Sequence, residues 1–406
     1  MKSFASQTFS IALILLTWLS GCGEQKPLPP IENCYSRVET SWFKRIDPML
    51  FPVIKNRKWG WIDKTGKIVI EPQFNYAHDF FLEGRAGFKK NGKWGFIDPT
   101  GKVVIEPKFD NVRSFYEQRA AVKVGDSWGF IDYDGNFTAE PQFSKVNRFF
   151  EGRAAVQMNH NWGFIDRNGR LITDFVFSSV ESFSEGLAAV SKSKNNLLRE
   201  GFIDRQGQIY ISLPDKISYP DMDGKFRDGI AVVYQISLSF WFLDPTVRSP
   251  EKYGFFDKKT RKMTSLKYEN AFSFSECLAI IKAKGKYGAV DSNFKTRIKP
   301  KFDSLGSFYE GMAAVKVNKK YGYVDRTGKI LIKPQFSYAG SFRGGLALVK
   351  LDLDGKWGAI DRTGKMVIEP RFEQLSHLGN GLVKVTIGEK WGYIDTEGNM
   401  IWPPSK

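Results

Sequence analysis

The strongest constraint on what this chain can fold into is an aromatic–glycine pair that returns about every 34 residues. Trp59, Trp94, Trp128, Trp162, Tyr253, Tyr287, Tyr321, Trp357 and Trp391 are each followed by Gly. A degenerate copy has Glu200-Gly201, and the ten anchors are 35, 34, 34, 38, 53, 34, 34, 36 and 34 residues apart. Self-similarity at a fixed period marks a repeat architecture, in which each unit contacts chiefly its neighbours.

The unit is β-structured. Ala120-Ala121-Val122-Lys123-Val124 is a β-prone run, Gly125-Asp126-Ser127 a turn, and Trp128-Gly129-Phe130-Ile131-Asp132 a second strand. Asp-x-x-Gly ends it, as in Asp98-Pro99-Thr100-Gly101. Asp suits the first position of a type I turn, and Gly the left-handed position that closes a three-residue hairpin. The Asp row comprises Asp63, Asp98, Asp132, Asp166, Asp204, Asp257, Asp291, Asp325, Asp361 and Asp395, although Lys258-Lys259-Thr260 replaces the turn glycine after Asp257. A third strand such as Lys102-Val103-Val104-Ile105 runs into Glu-Pro, where pairing stops because Pro has no N–H. A loop with two Phe leads to the next unit. Each unit is therefore expected to be a three-stranded antiparallel meander that buries its apolar face only against the next. The anchor row is expected to be part of that core.

The Lys93-Trp94-Gly95-Phe96-Ile97-Asp98, Lys356-Trp357-Gly358-Ala359-Ile360-Asp361 and Glu106-Pro107-Lys108-Phe109 segments resemble the WG-repeat (KWG-repeat) family, over about residues 51–402. The resemblance implies a bacterial, β-rich repeat protein that binds other molecules, and it supplies no catalytic residues. The fold class expected is all-β, a tandem array of about ten meanders. An open or superhelical stack is favoured, because ten units exceed the four to eight blades typical of propellers. A closed propeller, or two, is the alternative.

Three copies are longer than the rest between Glu-Gly (or its equivalent) and the next anchor. Gly84 to Trp94 shows the usual ten residues, whereas Gly186 to Glu200, Gly229 to Tyr253 and Gly345 to Trp357 span fourteen, twenty-four and twelve. All three expansions fall in the turn between the first and second strands. Insertions on one edge of a repeat array commonly mark its binding side. The longest contains Phe240-Trp241-Phe242, a candidate partner contact. Residues 190–265 are the most divergent stretch and a possible joint between subarrays.

Residues 1–21 read as a secretory signal: Lys2, an apolar run from Phe9 to Leu19, then Leu19-Ser20-Gly21-Cys22. That tetrapeptide resembles the lipobox of bacterial lipoproteins, which implies cleavage between Gly21 and Cys22 and a lipid (palmitate-type acylation) on Cys22. Gly23 at the following position, where Asp commonly retains such proteins in the inner membrane, points to the outer membrane. Residues 22–50, Pro-rich at their start, read as a tether, and 403–406 as a tail. Cys34 precedes the array and Cys277 lies deep within it, so the two are expected to be unpaired within the chain.

Catalytic chemistry finds little support. His78, His160 and His377 have no Cys or His at ligand spacing, so no zinc site is expected. The Asp row is explained by turns. A second acid row, Glu71, Glu106, Glu140 and Glu369, recurs as regularly, whereas an active site needs a local departure from symmetry. No unit clusters three or more oxygen-bearing side chains at calcium-ligand spacing. No cofactor is expected. Net charge is +16, from periodic cations: Lys58, Lys93, Lys356 and Lys390 before the anchor, Lys64, Arg167, Arg205, Arg326 and Arg362 after the Asp, and Lys67, Lys102, Arg170, Lys329 and Lys365 after the turn Gly. A positive field favours anionic partners, and export argues against nucleic acid. The reading is a non-enzymatic, membrane-anchored envelope lipoprotein that binds or scaffolds. The partner is an envelope protein or, alternatively, an anionic cell-wall or lipopolysaccharide glycan. A hydrolase with a carboxylate site in the divergent repeats is the remaining alternative.

Overall fold

The computed structural model describes residues 49–78, 81–194, 197–219, 225–236, 250–379 and 381–405. Among these every regular element is a strand, and the strands form ten small antiparallel sheets in chain order. Sheet 1 has three strands, Phe51–Lys55, Lys58–Ile62 and Ile68–Phe74. Sheets 2 to 10, at 76–109, 111–143, 145–177, 179–212, 217–263, 270–302, 304–336, 338–372 and 374–405, have four each.

The extra strand corrects the three-stranded unit, and sheet 3 shows why. Its strands are Asn111–Val112, Ala120–Val124, Ser127–Ile131 and Phe137–Phe143. The last pairs with the anchor strand through Trp128↔Phe143 and Phe130↔Ala139. The chain then runs on through Ser144 into Lys145–Val146, which pair with Gln157 and Val156 of sheet 4. One nearly continuous run thus serves two sheets, hydrogen-bonding first to one and then to its neighbour.

The Trp-Gly and Glu-Pro signatures meet at the point of transfer. Between 128 and 130 the anchor strand advances two residues while the linking strand advances four, from 139 to 143, so Glu140-Pro141 bulges out of register. Bulges are where a sheet tolerates Pro. The bulged backbone lies on Gly129: a Cβ there would stand 2.6 Å from the Ala139 carbonyl oxygen and 2.8 Å from the Pro141 nitrogen. Gly60 and Gly358 face the same backbone in their own sheets, at 2.5 and 2.6 Å from the Ile70 and Ile368 carbonyl oxygens. The glycine of each anchor pair is present because the bulge leaves no room for a side chain.

The core lies between sheets. Phe96 of sheet 2 meets Phe115 of the next repeat edge-to-face at 4.9 Å, and the pattern recurs as Phe130–Phe149 at 5.0 Å, Phe164–Phe183 at 5.1 Å, Phe202–Phe226 at 4.9 Å and Tyr323–Phe342 at 4.7 Å. The loop Phe of one unit therefore plugs the face of the unit before it. Such pairs contribute about 0.5–1.5 kcal/mol each beyond their burial. The nine anchor aromatics are only half-buried. Eight of them, all but Trp59, pack against the inter-sheet cores at their margin, and the fully buried centre is made by residues two positions on, such as Trp61, Phe96, Phe130 and Phe164.

Ten sheets in an open stack have nine interfaces, but ten inter-sheet cores are present. The tenth joins the ends of the array: Phe51, Val53 and Ile62 of sheet 1 pack on Leu382 and Tyr393 of sheet 10. The Tyr393 hydroxyl donates to the Pro52 carbonyl at 2.7 Å, and the Ser405 hydroxyl to that of Ile54 at 2.6 Å. The array is a closed ring of ten sheets, resembling a ten-bladed propeller. Of the arrangements the repeat allowed, the single closed ring holds, and the favoured open stack and a pair of propellers do not. Within the divergent stretch the core is continuous, with Leu187, Ala189 and Phe202 of sheet 5 against Phe226, Val233 and Phe256 of sheet 6.

Cys277 is disulfide-bonded, which corrects the expectation of an unpaired thiol. Cys22 and Cys34 lie outside the described residues.

The Asp row forms the turns expected of it. Asp98 Oδ1 accepts from the Thr100 amide and hydroxyl at 2.9 and 2.7 Å and from the Lys102 amide at 3.1 Å, while Gly101 sits at φ +86°. Where the glycine is missing after Asp257, Arg261 takes a left-handed φ of 56° instead. Hydrogen bonds from the Thr65 and Thr363 hydroxyls, followed by turn amides, hold the Asp63 and Asp361 carboxyls below the usual range. At Asp98, Asp132 and Asp395 partial burial works against this, and the turn hydrogen bonds outweigh it.

Two outcomes follow for stability. Gly129→Ala should destabilise the ring by about 1–3 kcal/mol, the usual cost of overpacking, read as a lower urea midpoint; an unchanged midpoint would contradict the bulge account. Carboxylates depressed in the folded state contribute stability that is complete above about pH 5 and is lost as pH falls through about 3.9 toward the folded values. Urea midpoints should therefore fall below pH 4, and combined Asp63→Asn, Asp98→Asn and Asp361→Asn substitution should flatten that fall.

Candidate functional site

Each unit has two ends, and the ring therefore has two edges. At the turn edge stand the Asp turns and the Glu-Gly turns. At the hairpin edge stand the tips between the first full strand and the anchor strand, the half-buried anchors, and the crossings from sheet to sheet.

The turn edge is closed on itself. Glu83 accepts the amides of Glu117 and Gln118 in the next unit, both at 2.8 Å. Glu117 accepts from Gly152 at 2.7 Å, Glu151 from Gly186 at 2.8 Å, Glu185 from Gly229 at 2.8 Å, Glu276 from Gly311 at 3.0 Å and Glu310 from Gly345 at 3.0 Å. The cation after the turn Asp completes the link: Arg167 pairs with Glu117 at 2.9 Å, Arg205 with Glu151 at 2.8 Å and Lys258 with Glu185 at 3.2 Å. In sheet 3 Tyr133 stands in for the cation and donates to the Glu83 carbonyl at 2.5 Å. Part of the basic row after the Asp thus links unit to unit. The repeated Glu-Gly was visible in the sequence as a marker of spacing; that its carboxylate reaches the next unit needs the curvature of the ring.

The hairpin edge is more open. Lys93 pairs with Asp110 at 2.5 Å, and Asp110 also accepts the Gly125 amide of the neighbouring tip at 2.8 Å. Lys286, Asp303 and the Asn318 amide repeat this at 2.6 and 3.0 Å, and Lys356, Glu373 and the Gly388 amide at 3.3 and 2.8 Å. The hydrogen bonds from Lys93 and Lys286, then those from the amides, hold Asp110 and Asp303 below the usual carboxylate range. By contrast Lys55, Arg57, Lys90, Lys284 and Lys319 are exposed at the tips and have no acidic partner among the described residues. Cations also lie over the anchor rings, Lys384 at 4.1 Å from Trp391, Arg113 at 5.0 Å from Trp128 and Lys350 at 5.2 Å from Trp357. A cation over a half-exposed ring is an attraction that survives in water.

The strands that flank all three expansions end at this edge: Leu187–Lys194 and Leu197–Asp204, Ile230–Ile236 and Pro250–Asp257, and Ala347–Lys350 and Trp357–Ile360. Leu353, at the tip of the third, is 78% exposed. Phe240, Trp241, Phe242 and Cys22 lie outside the described residues. Between sheets 1 and 2 a hollow of about 410 Å³ opens, lined by Ile54, Arg57, Trp59, Asn75 and Tyr76.

The degenerate unit differs in chemistry as well as length. Glu200 occupies the anchor position and is buried, as are Ser191 and Tyr219 nearby, whose hydroxyls lie 3.1 Å apart. Burial pushes the Tyr219 hydroxyl up to about 12, so it is a neutral hydrogen-bonding group. Glu71, Glu106, Glu140 and Glu369 are exposed and stand one per unit. His78 lies against Trp94 at 5.0 Å with the rings tilted by 38°, and burial lowers the His377 imidazole. No group of three or more His, Cys, Asp or Glu capable of holding a metal occurs among the described residues.

A search of curated protein sequences finds no relative of the chain. Among solved structures, a eukaryotic initiation factor is similar at 10% identity and a TM-score of 0.48, covering 78% of this chain and 94% of that one. An uncharacterised protein from Listeria monocytogenes is similar at 14% identity and 0.31, covering 62% and 88%. The extracellular domain of a hybrid two-component system from B. thetaiotaomicron gives 9% and 0.28, covering 89% and 56%. The sequence model described as WG containing repeat matches residues 59–94, 94–127, 128–161, 162–195, 253–287, 287–321, 321–357, 357–391 and 391–405, most of the ring apart from the degenerate unit and the long expansion. The chain belongs to the WG containing repeat family.

Proposed function

We propose that this protein is a non-enzymatic binding or scaffold module of the bacterial cell envelope, tethered by a lipid on Cys22 and presenting the hairpin edge of its ring to a partner. The observation that carries the reading is the difference between the two edges. On the turn edge the repeated glutamates and many of the cations are engaged from unit to unit. On the hairpin edge half-buried aromatics and cations without acidic partners stand together, and the strands that flank every expansion end there. Half-exposed aromatic rings offer contact area, and a field of unpaired cations favours an anionic partner. The Phe240-Trp241-Phe242 segment belongs to the expansion between Ile230–Ile236 and Pro250–Asp257, strands that end at this edge. Leu19-Ser20-Gly21-Cys22 supports the anchor, and Gly23 an outer-membrane destination. Several acyl chains, at about 0.8 kcal/mol per buried methylene, make a stable attachment.

Cys22→Ala should move the protein from the membrane fraction to the soluble fraction and abolish palmitate labelling; a variant still labelled and still sedimenting with membranes would contradict the anchor. Replacing Phe240, Trp241 and Phe242 together with Ala should remove the dominant crosslink between the ring and its envelope partner in intact cells while leaving thermal stability unchanged. Crosslinks that persist unaltered would put the contact elsewhere.

A further inference from the structure

Resting on the reading of the hairpin edge as the binding edge, we infer that the hollow between sheets 1 and 2 is a subsite for an acidic sugar unit of a glycan chain. The hollow is lined by Ile54, Arg57, Trp59, Asn75 and Tyr76 and has a volume of about 410 Å³. That lies within the range of small-ligand sites. Its concavity suits a ligand of one or two rings.

The lining has three chemistries. Trp59 is half-buried and Tyr76 is 63% exposed, so each offers ring surface to the hollow. An aromatic face receives the flat C–H face of a pyranose and leaves the sugar's polar rim free. The Asn75 side chain, which accepts from the Lys58 ammonium, supplies amide hydrogen-bonding groups at the wall. Arg57 presents a guanidinium fork, the geometry that matches a carboxylate or phosphate in two parallel hydrogen bonds. Two lysines adjoin the lining, Lys58 of sheet 1 through Asn75 and Lys89 of sheet 2 beside Tyr76, and neither has an acidic partner among the described residues. Lys89 lies 6.0 Å from the Tyr76 ring. The positive field therefore extends past the hollow along the neighbouring sheet, as a chain of several acidic units requires.

In two other sheets the corresponding place is filled. In sheet 9 Tyr338 corresponds to Tyr76, and its ring packs against both Tyr321 at 6.1 Å and Trp357 at 5.0 Å. In sheet 3 the position is Asn111, and Arg113 covers the Trp128 ring at 5.0 Å. At sheets 1 and 2, His78 covers Trp94 instead, and Tyr76 has no aromatic partner among the described residues. The hollow is thus a local departure from the repeat, where the aromatic slot stays open.

Isothermal titration of the full chain with a hexamer of galacturonic acid tests the inference. The hexamer should bind, whereas maltohexaose, equal in length and uncharged, and hexaglutamate, charged and without sugar rings, should bind at least about tenfold more weakly. Tyr76→Ala and Arg57→Asn should each weaken hexamer binding about tenfold or more, the loss of a charge-assisted contact or a ring face. Both side chains are exposed, and Asn tolerates the left-handed φ of 60° at position 57. Lys319→Ala, which removes one charge from the same edge at sheet 8, should leave binding within about twofold. The inference is overturned if the hexamer does not bind, if either control ligand matches it, or if Lys319→Ala weakens binding as much as Arg57→Asn. Loss of this binding with an intact partner crosslink in cells would remove the sugar subsite and leave the binding-module reading standing.

Discussion

A three- or four-stranded sheet with apolar faces cannot cover them itself. Here the cover is an aromatic ring delivered by the following repeat: Phe115 on Phe96, Phe149 on Phe130, Phe342 on Tyr323. The delivery depends on the linking strand, which leaves one sheet through a bulge and pairs with the next before its loop turns back. The glycine after each anchor and the proline after each repeated glutamate serve that bulge, one by making room and the other by needing no partner. The motif that names the family is thus the footprint of a strand changing sheets.

Once every sheet is covered by its successor, the last sheet is left with an open face and the first with an unmet one. The ring resolves both together. Phe51 meets Tyr393 edge-to-face at 5.8 Å, and Trp59 lies 6.3 Å from Trp391, so the closing seam is made of repeat positions like any other. Ten units is a large number for a propeller. The unit here is small, and Ala120, Ala121, Ala154, Ala155, Ala188 and Ala189 are all buried in its first full strand. Short side chains let neighbouring sheets stand close.

The two edges divide the polar work. Carboxylates of the turn edge reach backbone amides and cations of the next unit. Each such link is worth little at a surface, but repeated at six junctions they tie unit to unit. The hairpin edge has its own links, through Asp110, Asp303 and Glu373, yet it keeps aromatic rings and cations within reach of solvent. Departures from the repeat collect there, where length can be added without disturbing the inter-sheet cores.

Much of this was legible in the sequence. The period of the anchors, the Asp turns and the concentration of expansions at one turn all follow from local chemistry, because a turn or a strand is decided within a few residues. The half-buried position of the anchors, the sheet-changing strand and the glutamate links were not legible, since each depends on where the neighbouring unit stands. The Cys277 disulfide and the ring itself were misjudged for the same reason. By itself the sequence determined the repeating unit, its strands and turns, and the edge on which it varies. Only the tertiary structure decided that the units curve until the first meets the last: small angles between neighbours, set by packing and invisible in any one repeat, accumulate around the chain until they close.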